Sequence, residues 1–181
     1  AVDAGVDLQY TTEAVLDAMA DTVTPQGIVA VARQSPTALK DILAEGPTLL
    51  AICEEVRDPG NLGTIIRAAD AAGADAVILT GRTVDLYNPK VVRSTTGSLF
   101  HLPVAVDLEL ADVVERVHDA GLRVVAADVG GEDFVASRGL LGEPTAWLFG
   151  NEARGLDEPA LAHADLSLRL PIYAGAEPLN L

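Results

Sequence analysis

Apolar residues in this chain fall into two spacings. Short continuous runs at 27–33, 48–53, 76–80, 122–127, 145–149 and 166–170 are rich in β-branched residues and predict strands. Between several of them the spacing lengthens to that of a helix. Leu62, Ile65, Ile66 and Ala69 form one apolar stripe closed by Gly73; Leu110, Val113, Val114 and Val117 form another, opened by Asp107 and closed by Gly121. Residues 12–20 carry a shorter helical pattern, and Ser35-Pro36 and Asn88-Pro89 each pair a cap residue with a first-turn proline. Strands without an alternating polar side have no solvated face, so the pattern predicts an α/β fold with a parallel sheet covered by helices on both faces.

A polar connection, Gln34-Ser35-Pro36-Thr37, sets a soft boundary near Pro36. Residues 1–35 are expected to be the tail of a preceding domain, and residues 36–181 the α/β domain proper. The chain of 181 residues is 49% hydrophobic and 4% aromatic, enough for one good core and part of a smaller unit. No run approaches the roughly 18 uninterrupted apolar residues of a membrane-spanning helix, and no basic-then-apolar leader opens the chain, so the cytoplasm is the expected location. The sequence starts at Ala1 and stops at Leu181 inside a motif-like segment, and both ends are expected to be incomplete.

Charge and cysteine content narrow the chemistry. Twelve basic against 27 acidic residues give a formal charge of −15, which argues against nonspecific attraction to a polyanion; an RNA ligand would need a local basic patch. The single cysteine, Cys53, cannot form an internal disulfide, and its apolar run predicts a small buried thiol. His101, His118 and His163 lack ligand-like spacing, so no metal site is expected.

In a parallel α/β sheet, ligands bind beyond the carboxyl ends of the strands. Three loops occupy that position: Arg57-Asp58-Pro59-Gly60-Asn61-Leu62-Gly63, Phe149-Gly150-Asn151-Glu152-Ala153-Arg154-Gly155, and Leu170-Pro171-Ile172-Tyr173-Ala174-Gly175. The first lacks both the spacing of a dinucleotide fingerprint and the lysine of a P-loop, which counts against ordinary NAD or ATP binding. Arg67 lies one turn beyond Gly63, opposite the apolar stripe. It is either a solvated helix arginine or one aimed at a substrate phosphate or hydroxyl.

Together these segments resemble the SpoU, or TrmH-like, branch of the SPOUT methyltransferases. The resemblance rests on DPGNLGTIIRAADAAGADAVIL (Asp58 to Leu79), VVRSTTGSLFHLPV (Val91 to Val104), WLFGNEARGLDEPALAHADLSLRLPI (Trp147 to Ile172) and EPLNL (Glu177 to Leu181), in the family's order and spacing. VTPQGIVAV (Val23 to Val31) is similar to the end of the small RNA substrate-binding domain that many members carry ahead of the catalytic one. The resemblance implies a C-terminal trefoil knot, a homodimer, and S-adenosyl-L-methionine (AdoMet)-dependent methylation of a ribose 2′-hydroxyl in ribosomal or transfer RNA. It implies catalytic roles for Asn61, Arg67, Glu152 and Asn180, and cofactor contacts at Gly150, Leu170, Ile172 and Leu179. Arg57, Arg93 and Arg154 lie in or near the motifs and are candidates for the RNA-binding patch, or a solvated surface. Pro178 stands where the family commonly has a serine, removing a hydroxyl and a backbone donor. Three rivals remain: a noncatalytic RNA-binding or ribosome-associated module of the same fold, a base-methylating SPOUT enzyme, and a doubly wound nucleotide-binding domain. Antibiotic resistance and housekeeping modification fit the sequence equally.

Overall fold

The computed structural model describes residues 5–137, 139 and 142–171. Contacts divide the chain into two units, Ala1–Gln34 and Ser35–Leu181.

In the first unit a single helix, α1 (Glu13–Met19), begins where Thr12 accepts a hydrogen bond from the Val15 N–H. None of its residues is buried, and Tyr10, Val23, Ile28 and Val31 are all exposed. The strand predicted at 27–33 does not form. A β run needs a neighbouring edge for its N–H and C=O groups, and among the described residues of this unit there is no strand to supply one.

The second unit runs α2 (Leu39–Ala44), β1 (Leu49–Glu54), α3 (Pro59–Ala71), β2 (Ala76–Thr80), α4 (Pro89–Ser94), β3 (Val104–Leu108), α5 (Leu110–Asp119), β4 (Arg123–Asp133), β5 (Thr145–Phe149), α6 (Glu158–Leu161) and β6 (Leu166–Arg169). The six strands form one sheet in the order β3-β2-β1-β5-β4-β6, parallel at every pairing. Every residue of β2 is buried, as its unbroken apolar run predicts for a strand packed on both sides. Alternate strand residues feed two cores. Leu50, Ile52, Ile78 and Leu148 pack with Leu39 and Ile42 of α2, the α5 stripe and Ala160 of α6. Ala51, Cys53, Val77 and Leu79 pack with the Leu62, Ile65, Ile66 and Ala69 stripe of α3 and with Val91 of α4.

Helix ends follow local chemistry. Asp58 caps α3 by accepting from the Asn61 N–H, with Pro59 in the first turn, and Asn88 caps α4 by accepting from the Lys90 N–H, with Pro89 next. Ser35-Pro36 caps nothing: α2 starts at Leu39 behind Ala38, and the Thr37 N–H instead donates to the Val104 carbonyl. Asp107 adopts a left-handed φ of 58° one residue before the end of the third strand, while Glu109 is the cap position of α5. Strand β3 has no place among the predicted runs, because PVAVD offers only a short apolar stretch next to a proline. Strand β4 extends to Asp133, beyond the predicted 127, through a register shift between Ala127 and Glu132 against β6.

Close approach of α3 and α4 depends on Gly63. A β-carbon there would lie 1.8 Å from Ser94 Oγ and 2.9 Å from the Ser94 carbonyl carbon. Ser94 uses the space to donate its hydroxyl to the Pro59 carbonyl at 3.0 Å, tying α4 to the first turn of α3.

Candidate active site

From β1 the chain steps outward through β2 to β3, then crosses to the other half of the sheet, where β5 lies against β1. That reversal is a topological switch point, where diverging connections leave a crevice at the carboxyl ends. Cys53 of β1 is in register with Phe149 of β5, so the loops at 55–58 and 150–156 emerge side by side.

Glu152 joins them. Its carboxylate accepts from the backbone N–H of Arg57 at 3.1 Å and of Asp58 at 2.8 Å. The Asp58 side chain meanwhile accepts from the Asn61 N–H at 2.8 Å, so the carboxylate from the second loop is held at the start of α3, where a helix end favours negative charge. Asn151 spans the same gap: its Nδ2 donates to the Glu55 carbonyl at 2.9 Å, and its Oδ1 accepts from the N–H groups of Ala153 at 3.0 Å and Arg154 at 3.3 Å. The loop closes on itself through paired backbone bonds between Asn151 and Gly155. Gly150 permits this closure, because a β-carbon there would lie 2.5 Å from the Gly155 carbonyl carbon. Two arginines converge on the first loop: Arg57 and Arg154 each place Nη2 on Oε2 of Glu55, at 3.1 and 2.9 Å.

The structure thus brings Asn61, Gly150, Glu152, Arg57 and Arg154 to one crevice. Arg67 follows on α3, exposed, and among the described residues no ion pair or hydrogen bond holds its guanidinium. Arg93 is exposed in the last turn of α4, beside the Ser94 that packs against Gly63. Leu170 ends up away from these residues in sheet order. It follows β6 on the sheet edge, with β4 between that strand and β5, and is 55% exposed. Ile172, Leu179 and Asn180, together with Pro178, lie outside the described residues.

Sequence reasoning did not single out Glu55, Asp58 or Asn151 as parts of the framework. Asp58-Pro59 carried a readable cap-and-proline signal, and the Gly-bounded Asn151-Glu152 pair a turn signal. Glu55 carried none, since a glutamate with φ of 53° has no sequence signature.

Two groups beneath the crevice have shifted acidities. Burial pushes the Cys53 thiol up to about 12, with the Glu152 charge adding to it. Burial also raises the Glu54 carboxyl, and the charges of Glu55, Asp157 and Glu109 add to the rise; its Oε2 is buried without a hydrogen-bond partner among the described residues. No group of three or more His, Cys, Asp or Glu residues is placed to hold a metal ion among the described residues. No described helix is long and apolar enough to cross a membrane.

The SpoU rRNA Methylase family matches residues 48–181, which include every strand and loop of this crevice. The chain belongs to that family. Residues 1–38 match a second family, RNA 2′-O ribose methyltransferase substrate binding. Among curated relatives, the 23S rRNA (guanosine(2553)-2′-O)-methyltransferase RlmP of Bacillus subtilis is 38% identical over 99% of this chain and 70% of its own length. The 23S rRNA (uridine(2479)-2′-O)-methyltransferase of Streptomyces viridochromogenes is 36% identical over 86% of this chain and 56% of its own length. Among solved structures, an AdoMet-bound rRNA methyltransferase from Sinorhizobium meliloti superposes with a TM-score of 0.85 at 36% identity, covering 94% of this chain and 65% of that one. The SpoU chain described here therefore spans between about half and about two thirds of the length of several relatives it matches.

Proposed function

We propose that this SpoU family member transfers the methyl group of AdoMet to a ribose 2′-hydroxyl of RNA, with ribosomal RNA as the first candidate and transfer RNA as the second. The observation that carries the reading is the Glu152 carboxylate bonded to the Arg57 and Asp58 N–H groups, which fixes the start of the helix bearing Asn61 and Arg67 against the loop after β5. The relatives' activities, 2′-O-methylation of 23S rRNA at guanosine in one and at uridine in another, support it.

The described residues fit the cofactor in chemistry. Gly150 brings bare backbone to the carboxyl end of β5, and Leu170 offers an exposed apolar side chain of the kind an adenine ring covers. We assign these two, with Ile172 and Leu179, to holding AdoMet, which when bound supplies an electrophilic methyl group. The protein's task is to hold the ribose oxygen in line with that methyl and to ease departure of the hydroxyl proton. Arg67 is exposed on α3, the helix that starts at the crevice. A guanidinium offers donors and no acceptor, so Arg67 acts by holding a flanking phosphate and polarising the hydroxyl, rather than as a literal base. Glu152 keeps α3 and the second loop in register, and Asn61 and Asn180 complete the pocket around the ribose. Arg57, Arg93 and Arg154 supply the local basic surface that a chain with a formal charge of −15 otherwise lacks.

The same proposal takes residues 1–35 as part of an RNA substrate-binding domain and residues 36–181 as the catalytic domain. It includes a C-terminal trefoil knot, a homodimer and a cytoplasmic site of action, all of which rest on the family. The test is methyl transfer from labelled AdoMet to ribosomal and transfer RNA, with Arg67→Ala as control. The expected result is label at an alkali-resistant linkage, because alkali cleaves RNA through the free 2′-hydroxyl, and its loss in the variant. RNA binding without transfer would replace the enzyme with a noncatalytic module of the same fold.

A further inference from the structure

An acidic side chain in the mouth of a site for a polyanion needs a reason, and Glu55 is such a side chain. Its backbone adopts φ of 53°, the left-handed region that costs a non-glycine residue on the order of 1 kcal/mol. Its carbonyl is pinned by Asn151 Nδ2 at 2.9 Å, so the position is fixed by the framework that also seats Glu152. Its side chain is 30% exposed, whereas those of Arg57 and Arg154 are 51% and 66% exposed. The acid is therefore the more buried partner and the two cations the more accessible ones.

Both arginines use the same oxygen of Glu55, so their Nη2 atoms lie within two hydrogen-bond lengths of each other. Two free guanidiniums would repel one another and spread. Held on one carboxylate they are gathered, and among the described residues neither has another ion-pair partner. A guanidinium carries five N–H donors, so each keeps donors for a further anion. The group that matches two adjacent forks is a phosphodiester, whose two non-bridging oxygens share one negative charge and are each able to accept from one arginine.

We propose that Glu55 is a positioning residue that gathers Arg57 and Arg154 into a clamp for one phosphodiester of the substrate, a proposal that rests on RNA being the substrate. The clamp belongs to the same crevice as Glu152, because the Arg57 N–H donates to Glu152 and Arg154 lies two residues beyond it. Its phosphodiester is one flanking the ribose to be methylated. Glu55 touches no substrate atom.

The sign of one effect separates this proposal from plain electrostatics. Glu55→Gly removes a negative charge from an RNA site and suits the left-handed backbone, so charge alone predicts tighter RNA binding. Loss of the clamp predicts the opposite. The experiment compares RNA affinity, its salt dependence and steady-state methyl transfer for the full-length wild-type enzyme, Glu55→Gly and Glu55→Gln. RNA KM is expected to rise about tenfold in Glu55→Gly, the equivalent of about 1.4 kcal/mol, with kcat at saturating RNA and AdoMet affinity unchanged. Glu55→Gln keeps an acceptor oxygen and restores part of the loss. Arg57→Ala and Arg154→Ala are expected to be coupled in the wild type and additive in the Glu55→Gly background. Tighter or unchanged RNA binding in Glu55→Gly, or coupling that survives in it, overturns the clamp while leaving the methyltransferase reading intact. A wild-type enzyme that neither binds nor methylates RNA overturns both.

Discussion

At the amino ends of the strands, two aspartates repeat one arrangement. Asp75 directly precedes β2, gives its N–H to the Leu49 carbonyl of β1, and accepts the N–H groups of Leu49 at 2.9 Å and Thr48 at 2.7 Å. Asp165 directly precedes β6, gives its N–H to the Val124 carbonyl of β4, and accepts the Val124 N–H at 2.8 Å along with the His118 ring. At the carboxyl ends the acids behave differently. Glu54 keeps a buried oxygen without a partner among the described residues, Glu55 sits on a left-handed backbone, and Glu152 bridges two loops. Asp75 has its acidity strengthened by the Leu49 N–H and then by Thr48, whereas burial weakens that of Glu54. Polar groups at the amino end are satisfied by the fold, and those at the carboxyl end are only partly so. The second condition leaves hydrogen-bonding capacity for a substrate, and the contrast separates residues that hold the sheet from residues that serve the site.

Substitutions at the two ends are expected to fail in opposite ways. The largest effect is that of Arg67→Ala, expected to lower methyl transfer by at least about a hundredfold with an unchanged Tm in a thermal melt; a melt that fell with the activity would erase the distinction between the ends. Next comes Glu152→Ala, which strips two backbone N–H groups of a charged acceptor. It is expected to cost about 1.5–3 kcal/mol and to speed hydrogen exchange at the Arg57 and Asp58 amides as well as reducing transfer. Asp75→Ala is expected to cost about 1 kcal/mol, since water reaches the freed groups, with kcat intact; a drop in kcat at equal folded fraction would show that the amino end reaches the chemistry.

Acid sharpens the same contrast. Asp75 has a depressed folded pKa, so its contribution is present above the ordinary aspartate value of about 3.9 and is lost as pH falls through the lower folded value. Glu54 has a raised folded pKa, so its ionisation penalises the fold at neutral pH, and the penalty disappears as pH falls through that raised value. Glu54→Gln is accordingly the smallest effect, a gain of about one degree in Tm at pH 7 that vanishes in mild acid.

Much of the α/β unit was legible in the sequence because its central strands β1 and β2 are buried along nearly their whole length and its helices carry regular stripes. The predicted run at 76–80 is strand β2, and Leu62, Ile65, Ile66 and Ala69 all face the core. The stretch 27–33 misled because β propensity describes a residue's suitability for a strand but not whether an edge exists to receive it. Strand β3 was hidden by its short apolar stretch beside a proline, and the extension of β4 beyond the predicted 127 by a register shift that interrupts its pattern. The motifs placed Asn61, Glu152 and Gly150 in the two loops that the switch point brings together. Glu55 and the clustering of Arg57 with Arg154 depend on one backbone dihedral and on contacts across the crevice, which no local pattern encodes.

Strand β5 enters the sheet between β1 and β4, both made before it, and the Arg57–Glu152 bond joins residues 95 positions apart. At an elongation rate of roughly 5–20 residues per second, the first loop waits between about 5 and 20 seconds on the ribosome for its counterpart. Through that interval the edge of β1, joined late in it by that of β4, lacks the strand that will lie between them, a template for pairing with one another or with a neighbouring nascent chain. Insertion of β5 removes both edges and assembles the crevice in the same step, so a chain caught before it is at once inactive and adhesive.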